Sequence, residues 1–299
     1  MEQVAYIFPG QGAQMVGMAK ELCENHPEAK EIFDTAGEIL KFDLAKLCFE
    51  GPAEELTITS NSQVAILVHS IAALKVLEKN SDPMAPEYAP AFGLGLSLGE
   101  YTSLVASESL SFEDGVKLVR KRGQFMQKAA EKNPGKMASI MGMGVDELEK
   151  LCKGFGCEIA NLNCPGQIVI SGPTSAIELT ASTAKERGAK RAIVLDVSGA
   201  FHSSLMTSAK EKLEKEIETV TFNPPKYPII SNVMALATIN PEEIKQNLIT
   251  QMTSRTLFEA SIRYVAAQGI KTYLEIGPGT VLKGILRRID KTLNVVNFA

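Results

Sequence analysis

Three residues set the chemical question: Gly95, Ser97 and Gly99, in the stretch "GLGLSLGEYTSLVAS". The apolar run "AFGLGL" before the serine reads as a buried strand, and "LGEYTSLVAS" after it reads as a helix, so Ser97 falls in the turn between them. Such a turn is tight enough that only small neighbours avoid the backbone. Two readings fit. As a nucleophile, Ser97 holds its hydroxyl clear of the sheet at a helix N-terminus whose free N–H groups can take up an oxyanion. As a cap, it serves the helix end, and the glycines serve close packing.

A serine hydroxyl needs a base, and the chain has three histidines. His26 lies in "ENHPEAK", a polar helix end. His69 lies in "VAILVHSIAALKVL", where a hydrogen-bonded helix histidine is expected. His202 lies in "DVSGAFHSSLM", a loop of small residues just after a predicted strand, where α/β folds carry working groups. Elimination leaves His202 as the base, and serine before histidine is the chain order of α/β-hydrolases. No local acid completes a triad; Glu100, one turn past the serine, fits a structural or a catalytic role.

Arg122 is an independent clue. In the helix "GVKLVRKRGQFMQKAA", Leu118, Val119, Phe125, Met126 and Ala129 share one face, and Arg122 falls inside that stripe. A guanidinium facing the core needs an anionic or carbonyl partner. An internal ion pair or a snorkelling side chain satisfies it, and so does a substrate carboxylate gripped at two points.

The elements that must position these groups have two rhythms. "QVAYIF" (3–8) reads as a strand closed by "PGQG" and followed by a helix through "AQMVGMAKELCENH"; "SQVAILVHSIAALKVLEK" and "SFEDGVKLVRKRGQFMQKAAEK" read as further helices, the second capped by Ser111. Strand-like runs alternating with long helices imply an α/β fold with a largely parallel sheet. The middle reads β ("KMASIMGM"), α ("VDELEKLCKG"), β ("CEIANLN"), β ("QIVISG"), α ("TSAIELTASTAKERGA"), β ("KRAIVLDV"), the ferredoxin-like order βαββαβ. The expected organisation is a ferredoxin-like small domain, 128–196, inserted in a discontinuous larger α/β domain, 1–127 and 197–299. The tail returns to the first style, with "KYPIISNV" and "KTYLEIGPG" as strands, a helix "TVLKGILRRID" and a final strand.

The 299 residues carry a net charge of −4, which gives no electrostatic case for nucleic acid or an anionic membrane. Five cysteines, odd in number and without zinc-ligand spacing, fit a reduced cytoplasmic protein with no metal. The start shows no basic n-region or long apolar h-region, and no stretch is expected to reach the length of a membrane span.

Read together, "FPGQGAQ" (8–14), "GLSLGEY" (95–101), "RGQFMQ" (122–127), "NLNCPGQIVISG" (161–172), "GAFHSSLM" (199–206) and "EIGPGTVLKG" (275–284) resemble the malonyl-CoA:acyl carrier protein transacylases, in the same order and over essentially the whole chain. That resemblance implies an α/β-hydrolase-like large domain with a ferredoxin-like insertion. It implies transfer of a malonyl group from malonyl-CoA to the phosphopantetheine thiol of an acyl carrier protein, for fatty-acid elongation. By the same resemblance Ser97 is acylated and His202 is its base, then its acid. The backbone N–H groups of Gln11 and Leu98 form the oxyanion hole, Arg122 binds the malonyl carboxylate, and Gln251 orients the histidine in place of an acid. Gln63, Asn161 and Asn163 line the cleft, and Phe201 in "AFH" leaves no room for an α-methyl group. The coenzyme A thioester and the carrier are substrates, so no cofactor is implied, and a monomer is expected.

The chain departs from the family pattern at Leu96 (commonly His), Val64 and Ser204 (commonly Pro) and Phe258 (commonly Trp). Leu96 bears on substrate selectivity or on the local hydrogen bonding, and none of the four removes a catalytic group. Carrier proteins of this kind are acidic, so docking needs a local basic patch; "VRKR" and Lys283, Arg287, Arg288 and Lys291 in "LKGILRRIDK" are candidates, with a solvated helix face as the other reading. Two further functions share these motifs: a discrete acyltransferase of a polyketide pathway, and an acyl-thioester hydrolase.

Overall fold

The computed structural model describes residues 2–80 and 88–299. Among them ten strands form two sheets: β1 (Glu2–Phe8), β2 (Tyr88–Gly95), β3 (Gly135–Met141), β4 (Glu158–Cys164), β5 (Gln167–Pro173), β6 (Arg191–Val194), β7 (Ile229–Ile230), β8 (Ala237–Thr238), β9 (Thr272–Ile276) and β10 (Asn294–Phe298). The larger sheet has the order β10-β9-β1-β2-β7-β8 and is parallel from β10 to β7; β8 runs antiparallel to β7. The smaller sheet, β4-β5-β3-β6, is antiparallel. The protein is therefore α/β with a mixed, mainly parallel principal sheet.

β1 shows why that sheet is central. Its side chains alternate between two cores, as a strand covered on both faces requires. Val4, Tyr6 and Phe8 enter the core built with Thr59–Asn80, Leu98–Ala106 and Phe112–Lys132, while Ala5 and Ile7 enter the one built with Phe258–Ala267 and Val281–Ile289. The smaller sheet has a separate core, formed with its helices Val145–Phe155 and Thr174–Glu186. The free edge of β4 is tied to the segment before Phe258–Ala267: Leu162 N–H donates to Thr256 C=O at 2.9 Å and Thr256 N–H to Ala160 C=O at 2.8 Å. That seam fixes where β4 lies against the larger sheet.

Several sequence expectations need correction. Residues 11–19 are turns and irregular backbone, and the helix expected from Ala13 onward starts only at Lys20. Gly12 (φ +100°), Gly17 (φ +94°) and Ala19 (φ +60°) take left-handed conformations that a helix cannot contain. The helix Thr59–Asn80 is long and apolar enough to cross a membrane, contrary to the expectation that no stretch is, but 83% of its apolar window is buried inside the protein. The strand read in "KYPIISNV" is only Ile229–Ile230. A helix unassigned from sequence, Thr207–Thr219, buries the narrow stripe Ala209, Leu213 and Ile217. Ser111 caps its helix as expected, accepting the Asp114 N–H at 3.0 Å.

Candidate functional site

The turn at Ser97 is as tight as its glycines imply. A Cβ at Gly99 would lie 2.1 Å from the Phe8 carbonyl oxygen, and one at Gly95 would lie 2.2 Å from the Gly99 carbonyl carbon. Leaving both as glycine lets the helix Leu98–Ala106 start directly against β1 and β2. Ser97 itself sits at φ 52°, ψ −97°, a conformation that costs a non-glycine residue about 1–3 kcal/mol. Its side chain makes no capping bond to the helix. Of the two sequence readings, the cap is excluded.

The hydroxyl instead faces His202, with Oγ 2.8 Å from Nε2. His202 also has a positive φ, 57°, and its Nδ1 lies 2.9 Å from the Gln251 backbone carbonyl. A carbonyl can only accept, so Nδ1 carries the proton and Nε2 presents its lone pair to the Ser97 O–H. This is the tautomer a general base needs, set by a neutral carbonyl where a triad would use a carboxylate. Burial, reinforced by the Arg122 cation, lowers the His202 pKa to about 4.

The pH dependence follows. A reaction that uses His202 as base needs it neutral, so its kcat/KM should stay level as pH falls through 6.5, the ordinary histidine value, and decline towards 4. A rate profile between pH 4 and 8 tests this, and an acid limb centred near 6.5 would contradict it.

Arg122 reaches the same atom from the other side. Its helix approaches Thr59–Asn80 so closely that a Cβ at Gly123 would lie 2.6 Å from Ser60 Cα. Arg122 is 1% exposed. Nη1 donates to Gln63 Oε1 at 2.7 Å, and Nη2 donates to Ser97 Oγ at 2.9 Å and Gln251 Oε1 at 3.0 Å. The guanidinium carbon lies 5.0 Å from the centre of the Tyr101 ring. None of these partners is a carboxylate, and among the described residues Arg122 makes no ion pair. A buried cation held by neutral groups beside a hydroxyl that faces a base can receive an anion. The internal ion pair read as an alternative is not present.

Glu100, left open in the sequence, is 2% exposed and accepts from Gln251 Nε2 at 2.7 Å and from the Asn232 N–H at 3.0 Å. Burial pushes its pKa up to about 7 against those donors and Arg122. Asn232 was not found from sequence. It sits just after β7 in "IISNV", where only the three-dimensional fold reveals that it meets the turn at Ser97: it accepts the Ser97 N–H at 2.7 Å and donates to the Gly95 carbonyl at 2.7 Å.

Ser97 and His202 open on a cavity of about 210 Å³, also lined by Gln11, Leu96, Asn161, Asn163 and Phe201. The loop carrying Gln11 is pressed onto the turn, since a Cβ at Gly10 would lie 2.5 Å from the Leu96 carbonyl oxygen. Leu98 is the first residue of its helix, so its N–H has no intrahelical acceptor. Asn161 donates to Thr256 Oγ1 at 2.6 Å, and the Asn163 amide oxygen is buried without a protein partner. Gln63 is fully buried behind the cavity, with Nε2 3.3 Å from Met126 Sδ.

The remaining candidates lie elsewhere. His69 is buried in its helix, and neither ring nitrogen has a protein partner, so the hydrogen-bonded histidine expected there is not found. His26 faces Glu28 at 3.8 Å. "VRKR" is no basic patch: Arg120 binds Asn61 and covers the Phe42 ring, Lys121 pairs with Glu216, and Arg122 is in the site. Arg287, Arg288 and Lys291 are exposed and Lys283 half-buried, with Arg288 donating to Gln167 at 2.7 Å. Among the substituted positions, Ser204 uses the N–H that a proline would lack, donating it to Glu158 of β4 at 3.0 Å; Val64 and Phe258 are fully buried core residues. Among the described residues no group of three His, Cys, Asp or Glu side chains is placed to hold a metal ion.

Fold and site together define an acyl transferase, and the acyl transferase domain family matches residues 5–296. The chain is 46% identical over 301 residues to the malonyl CoA-acyl carrier protein transacylase of Bacillus subtilis, covering 99% of this chain and 93% of the relative. It is 41% identical over 303 residues to that of Staphylococcus aureus, covering 100% and 96%. The solved malonyl CoA-acyl carrier protein transacylase of Coxiella burnetii superposes with a TM-score of 0.95 at 36% identity, covering 99% of this chain and 94% of that one. A malonyl-transacylase solved in complex with a type II polyketide synthase acyl carrier protein superposes with a TM-score of 0.94 at 35% identity, covering 99% and 96%. The chain belongs to the malonyl CoA-acyl carrier protein transacylase family.

Proposed function

We propose that the protein transfers the malonyl group of malonyl-CoA to the phosphopantetheine thiol of an acyl carrier protein, supplying fatty-acid elongation through a malonyl-Ser97 intermediate. The observation that carries this reading is the Arg122 guanidinium, buried, hydrogen-bonded to neutral groups and 2.9 Å from Ser97 Oγ. A hydrolase of neutral acyl groups has no use for it.

In the first half-reaction Ser97 Oγ gives its proton to His202 Nε2 and attacks the thioester carbonyl. The Gln11 and Leu98 amides hold the oxyanion, and the tetrahedral intermediate collapses by breaking the carbon–sulfur bond. His202 returns the proton to the departing thiolate, so coenzyme A leaves as the thiol. Arg122 exchanges its bond to the serine oxygen for the malonyl carboxylate and holds the acyl group in one pose. In the second half-reaction the carrier thiol loses its proton to His202 and attacks the ester carbonyl, and Ser97 Oγ leaves with that proton. Each proton transfer is assigned to His202, with no bound cofactor. Gln63 and Gln251 orient Arg122, and Gln251 also fixes the His202 tautomer. Asn161, Asn163, Leu96 and Phe201 shape the acyl cavity, Phe201 against an α-methyl group; one methyl is worth only about 1–3 kcal/mol of discrimination.

The smaller sheet, with the order β4-β5-β3-β6 and the succession βαββαβ, supports a ferredoxin-like unit at 128–196. The serine turn on a parallel sheet supports an α/β-hydrolase-like unit formed by 1–127 and 197–299. The enzyme is read as a cytoplasmic monomer.

Initial velocities with malonyl-CoA and holo carrier protein test the transfer. Parallel double-reciprocal lines with malonyl-carrier as product are expected; free malonate released at a rate independent of carrier would make the protein a hydrolase.

A further inference from the structure

We propose that the Glu100 carboxylate is a positioning residue that fixes both partners of the Ser97–His202 pair at once, acting through Asn232 and Gln251. This rests on the reading of Ser97 and His202 as nucleophile and base. One oxygen, Glu100 Oε2, accepts two bonds: from the Asn232 backbone N–H at 3.0 Å and from Gln251 Nε2 at 2.7 Å.

Each of those residues then holds one reacting group. The Asn232 side chain spans the strained turn, accepting the Ser97 N–H at 2.7 Å and donating to the Gly95 carbonyl at 2.7 Å. It thus secures Ser97 on both sides of a backbone conformation that an untethered serine would leave. Gln251 offers its backbone carbonyl to His202 Nδ1 at 2.9 Å. Its side-chain amide has one possible orientation. The Ser97 carbonyl, 3.1 Å away, only accepts and the Arg122 guanidinium only donates, so Nε2 must face the carbonyl and Oε1 must face Arg122.

Glu100 lies one turn into the helix that Ser97 begins, so nucleophile, anchor and both arms form one closed set of hydrogen bonds. A triad carboxylate would bind the histidine directly. Here the carboxylate sits one residue further back and fixes the nucleophile as well. Every group in the set is buried except Ser97 itself, so its bonds compete little with bulk solvent.

The test compares Glu100→Ala, Glu100→Gln and Asn232→Ala with the unaltered enzyme by two rates per folded molecule. One is single-turnover acylation by malonyl-CoA; the other is labelling of Ser97 by a fluorophosphonate, which needs the serine and histidine but no carboxylate grip. Glu100→Ala and Asn232→Ala should slow both by about 10- to 100-fold, the usual effect of a small misplacement of reacting groups, with KM for malonyl-CoA changed by less than about threefold. Glu100→Gln keeps an acceptor oxygen and should recover most of the loss. If Glu100→Ala does not fold, Asn232→Ala decides, because it leaves the carboxylate in place. Either alanine variant reacting with the fluorophosphonate at the unaltered rate would overturn the proposal. Failure of the unaltered enzyme to take malonyl while its Ser97 still labels would count against the transferase reading alone.

Discussion

Ser97→Ala and His202→Ala should each lower malonyl transfer by about 10⁴- to 10⁶-fold, and the double variant should be no slower than either one. The reason is the single proton path: Ser97 Oγ and His202 Nε2 are 2.8 Å apart, and among the described residues no other titratable group is bonded to the hydroxyl except the Arg122 cation, which cannot take a proton. Without the serine there is no covalent intermediate. Without the histidine the hydroxyl stays protonated, and an alkoxide is out of reach at neutral pH. Rates of carrier malonylation for the three variants, measured at equal folded concentration, check this. Additive losses would mean that the two residues do not act as a unit.

Arg122→Ala should change what the enzyme accepts as well as how fast it works. On the proposed assignment, malonyl-CoA meets Arg122 through a full negative charge in a buried site. Removing one side of such a pair costs about 3–4 kcal/mol, or about 10²- to 10³-fold in kcat/KM. Acetyl-CoA has no carboxylate to lose, and its acylation should fall by less than about tenfold, the remainder reflecting the lost bonds to Ser97, Gln63 and Gln251. Arg122→Lys keeps the charge but not the planar two-point fork, and should recover only part of the malonyl rate. The ratio of acylation rates for the two thioesters is the measurement. An equal fall for both would assign Arg122 to support of the site and not to the substrate carboxylate.

How much of this was legible before folding depended on whether a residue's role is local. Ser97 announced itself because a strand-to-helix turn needs glycine at both Gly95 and Gly99. Arg122 stood out because a cation inside an apolar helical stripe needs a partner, though the sequence left an internal ion pair and a snorkelling side chain open beside a substrate carboxylate. His202 did so because its loop of small residues follows a strand. The order of strands and helices was readable from period and length. The turns at 11–19 were not, since "AQMVGMA" has helical composition and only the left-handed positions at Gly12, Gly17 and Ala19 interrupt it. Thr207–Thr219 was missed because its buried face is only three residues wide. Asn232 was invisible for a deeper reason: it lies 135 positions from the serine it holds, and nothing in "IISNV" marks it until β7 is laid beside β2. The place of Glu100 required the same assembly, whereas the lack of a triad acid was already readable, with Gln251 expected in its stead.

The central claim is a malonyl ester on Ser97 that discharges to a carrier thiol. Intact-mass measurement of the enzyme after mixing with malonyl-CoA, then with holo acyl carrier protein, tests it most directly. The account predicts one malonyl adduct, absent in Ser97→Ala, that is lost from the enzyme and gained by the carrier on mixing. No adduct on the unaltered enzyme, or an adduct that decays to malonate at the same rate with and without carrier, would contradict it.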